Sequence, residues 1–326
     1  MEAPLKIEAA LTSPQSVSVV VPSYNHAKFV EKCLRSIIKQ TLPPFELLVI
    51  DDGSSDDSPQ IIERTLKRCA FPADLIVRGN CGLSATLNEG LQRSRGEYFA
   101  YLGSDDLWLP QFLSARVETL ATRQGAVLAY GHAYSIDEAE RIIDCTTDWA
   151  AYVDGDTRRM LLTTLAPLSP TVVYRRSALE RYGWNERAAL EDYELYLRLS
   201  TDGDFAFDAR ILSAWRQHES NASSNPTMMF QEKVAAQQRV GQSMGFSAKE
   251  LEQYQMLASF RSAQEFIRRG QKRHAFQLVG ESWSAAASAG ELVRMFAGLL
   301  TPNALIRSRR AKRREQAHAR YGSVEI

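Results

Sequence analysis

Four clusters along the chain place acidic, amide or turn-forming residues directly after an apolar run or at the mouth of a helix: VVVPSYN (19–25), VIDDGSSDD (49–57), LGSDD (102–106) and EDYELYLRL (191–199). Carboxylates in such places can accept hydrogen bonds from a base N–H or a ribose hydroxyl. They can also hold a hard divalent cation against phosphate oxygens, or take a proton from an attacking hydroxyl. An open α/β sheet binds its ligands in the crevice beyond the carboxyl ends of its strands. Clusters in series at those positions point to one nucleotide-binding catalytic crevice.

Each cluster taken alone also has a plainer reading. Pro22 closes a strand, and Tyr24 and Asn25 stand where an aromatic ring and an amide could hold a flat base. Amides at the following helix N-terminus favour phosphate, but an ordinary strand-to-helix turn explains the cluster equally well. Asp51 and Asp52 suit a base or ribose, with Gly53 freeing the turn in φ; alone they make a solvated acidic turn, with Asp56, Asp57 or Ser58 capping the next helix. No GxGxxG is present, so a nicotinamide-binding fingerprint is not supported. Arg78 at a strand end could meet phosphate or base, while Asn80, Gly82 and Gly90 serve a structural role at least as well.

Asp105 and Asp106 follow an apolar strand, where paired carboxylates are costly unless they bind a cation or meet water. Magnesium or manganese fits such oxygen ligands; helix capping before Leu107 is the alternative. Leu195, Leu197 and Leu199 anchor the last cluster's helix, leaving Glu191 and Asp192 in an exposed first turn. A helix N-terminus stabilises a carboxylate, so Asp192 is expected to be ionised and able to accept a proton. Acids also occur there for dipole reasons alone. His218 follows Trp215-Arg216 at a strand end and could ligate a metal, although a lone His is more often not a ligand. Arg216 could balance a diphosphate.

The elements that must carry these residues alternate. Ser16–Pro22 is a β-branched run; Phe29, Val30, Cys33, Leu34, Ile37 and Ile38 recur with helical period. Pro43-Pro44 stops that helix. Strands are predicted at Glu46–Ile50, Asp74–Arg78 and Glu97–Leu102, with helices opening at Ser58-Pro59 and over Leu83–Ser94. Such alternation predicts a parallel sheet covered on both faces. Further on, Ala126–Ile136 and Arg141–Cys145 read as strands able to pair as a hairpin, Asp156–Leu165 as a helix, Thr171–Arg175 as a strand, Glu191–Ser200 as a helix and Phe205–Arg216 as a last strand. From Met228 the chain reads helical.

The 326 residues, 44% hydrophobic and 24% charged, are those of a globular protein. The net charge is zero, but residues 301–326 hold seven Lys/Arg and two acids, leaving the remainder acidic. Wholesale nucleic-acid binding by the body is therefore not expected. Cys33, Cys69, Cys81 and Cys145 show no CxxC or paired spacing, which fits a reducing compartment. No signal segment is evident, and no apolar run approaches the ~20 residues of a membrane span. The expectation is a cytoplasmic protein, at most peripheral at the inner face of the plasma membrane. The Asn221-Ala-Ser223 sequon would then be irrelevant.

In series, VVVPSYN, VIDDGS, NCGLSATLNEG, YLGSDDLWLP, LEDYELYLRL and WRQHESNAS make residues 16–225 resemble the family 2 inverting nucleotide-sugar glycosyltransferases of GT-A fold. The resemblance implies a Rossmann-like, mostly parallel sheet with helices on both faces; residues 1–15 before it read as a flexible lead-in. A helical extension over 226–300 and a basic tail over 301–326 would follow. It implies that Pro22, Tyr24, Asn25, Asp51 and Asp52 line the base and ribose site, with Arg78 and Asn80 close by. Asp105 would bind Mn2+ or Mg2+ from the last position of the family's DxD motif, with Asp106 and His218 supporting it and Arg216 on the diphosphate side. Asp192 would be the catalytic base and Glu191 its support. Two departures stand out: Gly103 replaces the usual first Asp, and Leu87 occupies a position where the family often carries Arg. A UDP-sugar donor and a glycan or lipid-linked saccharide acceptor are implied.

Residues 291–314 join an apolar stretch to the basic cluster Arg307–Arg314, a combination suited to an anionic membrane surface; a solvated helix or a homodimer contact are the other readings. Rival functions are a GT-A-like protein that binds nucleotide sugar without turnover, for which Gly103 argues, and a pyrophosphorylase-like nucleotidyltransferase, whose Gly-rich phosphate loop is missing around Lys28.

Overall fold

The computed structural model describes residues 15–219, 221 and 224–326. Apart from Gln15, the expected flexible lead-in lies outside the described residues, as do Ala222 and Ser223 of the sequon. The first half alternates strand and helix: β1 (Val17–Ser23), α1 (Val30–Ile38), β2 (Glu46–Asp51), α2 (Ser58–Leu66), β3 (Ala73–Val77), α3 (Leu83–Arg93) and β4 (Tyr98–Tyr101). Successive side chains of a strand point to opposite faces, and β1 shows the consequence. Val17, Val19 and Val21 join one core with Val30, Cys33, Leu34 and Ile37 of α1, while Val20 joins the other with Leu87 and Leu91 of α3. Helix α3 lies so close to β1 that a Cβ on Gly90 would stand 2.6 Å from Val20 Cγ1.

The second half holds β5 (Leu107–Trp108), α4 (Phe112–Thr122), β6 (Ala126–Ile136), β7 (Ile142–Cys145), α5 (Arg158–Leu162), β8 (Val173–Arg175), α6 (Arg176–Leu179), α7 (Glu191–Leu199) and β9 (Asp204–Arg216). The strand order is β3-β2-β1-β4-β8-β6-β9-β5, with β7 paired to β6. Strands β3, β2, β1 and β4 run parallel, so Ser23, Asp51 and Tyr101 all end at one edge. Beyond β4 the sheet is mixed: β8 is antiparallel to β4 and β6, β6 and β9 are parallel, and β5 is antiparallel to β9. The β6–β7 hairpin forms as predicted. Leu107 pairs with Ala214, which pins the LGSDD turn against the end of β9.

The predicted helix over 156–165 is shorter, because Thr163 and Thr164 leave it; Thr164 takes a left-handed φ of 67°. The remaining chain is helical: α8 (Pro226–Val240), α9 (Ala248–Arg268), α10 (Lys272–Ser282), α11 (Ala289–Leu300) and α12 (Asn303–Tyr321). Asn225 caps α8, and a Ser247–Glu250 capping box opens α9. Phe260, Phe266, Ile267, Val279 and Met295 give these helices a core of their own. Gln237 of α8 donates to the Tyr193 hydroxyl at 2.8 Å and so joins α8 to α7. The chain then returns to the sheet: Val324 N–H donates to the Glu140 carbonyl at 3.0 Å, and Tyr321, Val324 and Ile326 pack beside Ile136 and Ile142.

Candidate active site

The first two clusters meet at the ends of β1 and β2, where Ser23 pairs with Asp51. Asp51 is buried and accepts the Ser54 N–H (2.9 Å) and hydroxyl (2.7 Å). Asp52 accepts the N–H groups of Cys81 and Gly82 and pairs with Arg78 Nη1 at 2.6 Å. Gly53 turns at φ 84°, and a Cβ there would stand 2.9 Å from the Asn80 nitrogen, so the β2 and β3 loops touch only because this residue is glycine. Asn25, also left-handed at φ 54°, accepts the Ser55 N–H at 2.8 Å and ties the β1 loop to the β2 loop. Pro22 is buried in the strand, and Asn80 is exposed. Tyr24 is 49% exposed, an uncovered ring at the edge of this acidic rim. Leu87 is wholly buried in the core and offers nothing to a phosphate.

The LGSDD turn lies at the end of β4 and is held from behind by Arg216. That guanidinium has no exposure; Nε donates to the Asp105 carbonyl (2.7 Å), Nη1 to the Asp137 carbonyl (2.9 Å) and to Glu140 Oε1 (3.0 Å), and the plane lies over Phe29. The Arg216 N–H also donates to Asp106 Oδ1 at 2.8 Å. Arg216 therefore departs from the expectation of a diphosphate contact. Its Nε and Nη1 are committed to two backbone carbonyls and Glu140, and in that buried position they brace the turn.

Asp105 points toward two imidazoles. His218 Nε2 lies 2.9 Å from Asp105 Oδ2, and His26 Nδ1 lies 3.9 Å from Oδ1 and 2.8 Å from the Ser104 hydroxyl. Asn221 Nδ2 also donates to Oδ2, at 3.3 Å. Ligand atoms of His26, Asp105 and His218 all lie within 4.8 Å of one another. Two nitrogens and a carboxylate oxygen at that spacing could hold a divalent cation. Asp106 does not join this group. Burial and the neighbouring Asp105 charge push its carboxyl well above the usual range, against the opposing pull of Arg216. Burial would also raise Asp105, but the His218 hydrogen bond and the imidazole charges outweigh it and leave Asp105 below its ordinary value. A Cβ on Gly103 would stand 2.9 Å from Asp105 Oδ1 and 3.3 Å from Asp106 Oδ2, so a side chain there would have to displace these carboxylates.

Glu191 and Asp192 open α7 beside Tyr101, the last residue of β4. The sequence placed them in an exposed turn; the structure half-buries both, because Tyr101, Tyr174 and Tyr193 pack around the start of α7. Burial raises Asp192 to about 6, against the lowering effect of α7 backbone N–H groups and the Lys233 charge. Desolvation thus outweighs the helix N-terminus, the reverse of the expectation from position alone. Glu191 rises to about 8 through burial and the Asp192 charge, so it is protonated when Asp192 is not. Trp184 is core, buried with Phe99, Tyr101 and Tyr174. His26 was missed by sequence reasoning, since a single His in a loop has no spacing to mark it.

A mixed α/β sheet with an acidic rim at the ends of β1, β2 and β4 is the architecture of the GT-A glycosyltransferases. The chain belongs to glycosyl transferase family 2, whose model matches residues 18–183. It is 28% identical over 169 residues to an uncharacterized glycosyltransferase of Nostoc sp., covering 51% of this chain and 52% of that protein. It is 27% identical over 223 residues to chondroitin synthase of Escherichia coli, covering 67% of this chain and 31% of that one. The chain thus spans about half or less of the length of these relatives. Among solved structures, Staphylococcus aureus TarS 1–349 in complex with UDP-GlcNAc superposes with a TM-score of 0.59 at 18% identity, covering 95% of this chain and 93% of TarS 1–349. A Pyrobaculum calidifontis mannosyltransferase in complex with GDP-Man and Mn2+ gives 0.55 at 16% identity, covering 93% and 86%.

Proposed function

We propose that the chain is an inverting glycosyltransferase that moves a sugar from a nucleotide-diphosphate donor, UDP-sugar first, to a hydroxyl of a glycan or lipid-linked acceptor in cell-surface polysaccharide synthesis. The reading is supported by the carboxylates on either side of the end of β4: Asp105 stays charged beside two imidazoles, while Asp192 is poised at about 6. Tyr24 and Asn25 with Asp51 and Asp52 would line the base and ribose pocket, braced by Arg78 and Asn80. His26, Asp105 and His218 would hold the divalent ion, whose chemistry when bound is to neutralise charge on the leaving diphosphate. Asp192 takes the proton of the acceptor hydroxyl as the hydroxyl oxygen attacks the anomeric carbon from the face opposite the nucleotide, and the bond from that carbon to the diphosphate oxygen breaks to release the nucleoside diphosphate. Glu191, protonated, leaves Asp192 as the only anion of the pair. Gly103 argued for a protein without turnover; His26 would offset it by supplying a third ligand.

The same reading includes a lipid-linked acceptor. Among the described residues no helix is long and apolar enough to cross a membrane. Val293, Phe296 and Leu300 of α11 are nevertheless exposed next to a helix bearing Arg307, Arg309, Arg310, Lys312 and Arg313. That surface suits peripheral contact with anionic lipid at the cytoplasmic face.

Asp192→Asn tests the reading directly. Transfer from the accepted nucleotide sugar should fall by about 10²-fold or more, with nucleotide affinity unchanged. Retained transfer would remove Asp192 as the base.

A further inference from the structure

A cavity of about 330 Å3 lies between β9, α8 and α9, and Lys233 reaches it from α8. Trp149 and Trp215 supply aromatic wall, Arg261 and Arg269 join Lys233 as cations, and Glu265 is the acid among them. Glu265 is engaged by Arg269, whose Nε lies 2.6 Å from Oε1. Lys233 and Arg261 are anchored otherwise. Lys233 Nζ donates to the Thr164 carbonyl at 3.4 Å, and Arg261 Nη1 to the Thr163 carbonyl at 2.9 Å. Those carbonyls belong to the turn after α5, where Thr164 holds its left-handed conformation. Among the described residues neither cation makes an ion pair with a carboxylate within 4 Å.

Carbonyls fix the position of a cation without cancelling its charge, so the cavity keeps a net positive lining. An aromatic surface beside fixed cations is suited to a sugar ring bearing a negative group. Lys233 connects this cavity to the reaction. Its ammonium lies 5.9 Å from the centroid of the Tyr193 ring, next to Asp192, and its charge is among those that lower Asp192. Lys233 thus links the cavity to the helix that carries the proposed base.

We propose that this cavity is the acceptor subsite and that it selects a saccharide carrying an anionic group, phosphate or carboxylate, adjacent to the reacting hydroxyl. The inference rests on the reading of Asp192 as the base. Trp215 would stack on the ring, Lys233 and Arg261 would bind the anion, and the neighbouring hydroxyl would face Asp192.

The test is tryptophan fluorescence of the full chain, saturated with UDP and Mn2+, titrated with glucose 6-phosphate, glucuronate and glucose. Either anionic sugar should bind about tenfold tighter than glucose or better, and Trp215→Phe should diminish the signal, with Trp149 reporting the remainder. Tighter binding of glucose 6-phosphate assigns the preference to phosphate, and of glucuronate to carboxylate. Arg261→Ala should abolish the preference without changing UDP affinity, and Arg261→Lys should restore part of it. Equal binding of all three sugars, or a preference that survives Arg261→Ala, overturns the proposal. The two readings fail separately. Loss of transfer in Asp192→Asn without an anionic preference removes only the subsite, and an anionic preference with transfer intact in Asp192→Asn removes only the base.

Discussion

His218 Nε2 and Asp105 Oδ2 lie 2.9 Å apart although 113 residues separate them. The contact joins the loop after β4 to the loop after β9. It exists because β5 pairs with β9 and Arg216 clamps the Asp105 carbonyl. His26, carried by the loop after β1, completes the group. The proposed cation site is thus assembled from three crossing points of the sheet, each braced by its own hydrogen bonds.

The carboxyl pair at the start of α7 gives opposite signs for activity and stability. If Asp192 is the base, kcat/KM falls as pH drops through about 6. Glu191 is already protonated there, so Glu191→Gln should leave that acid limb in place. A limb that moves or vanishes would make Glu191 the titrating base instead.

Stability tracks Glu191 in the other direction. Its folded pKa of about 8 exceeds the ordinary 4.5, so the folded state keeps a proton the unfolded chain has lost. The associated stabilisation is full below 4.5 and fades as pH rises through about 8. Thermal melts across that window should show Glu191→Gln flattening the decline. An unchanged slope contradicts the assignment.

Gly103 is predicted to be required for space. Gly103→Ala puts a Cβ 2.9 Å from Asp105 Oδ1 and forces the carboxylate away from the imidazoles. Mn2+ affinity by calorimetry should fall about tenfold or more, with the fold retained by circular dichroism. Undiminished affinity would show that the ion does not sit on Asp105.

The α11–α12 surface should sediment with vesicles containing phosphatidylserine and not with pure phosphatidylcholine, and salt should release it. Changing Arg309, Arg310 and Arg313 to Glu should abolish binding, since each basic residue near such a surface contributes about 1 kcal/mol. Equal binding to neutral vesicles contradicts the electrostatic part of the reading.

Much of the first half was legible because its periods are strong. The valines of β1 and the apolar stripe of α1 fix strand and helix from Val17 to Ile38 before any contact is known. The two-residue β5 is too short to carry a pattern. Helix α4 buries Phe112, Leu113, Ala115, Val117 and Leu120 together with Arg116, whose charge is met by Asp208 at 2.7 Å, and so presents no clean polar face. At the site, strand-end acids could be nominated, but their environments could not. Asp192 carries a first-turn signature that argues for exposure, and only the packing of Tyr101, Tyr174 and Tyr193 reverses it. His26 becomes visible only when three loops converge.

The most direct measurement is calorimetric titration of UDP, with and without Mn2+, into the wild-type chain and Asp105→Ala. The account predicts that Mn2+ strengthens UDP binding about tenfold or more in the wild type. That gain should disappear in Asp105→Ala and diminish in His26→Ala. Binding indifferent to Mn2+, or a gain that survives loss of the Asp105 carboxylate, would contradict it.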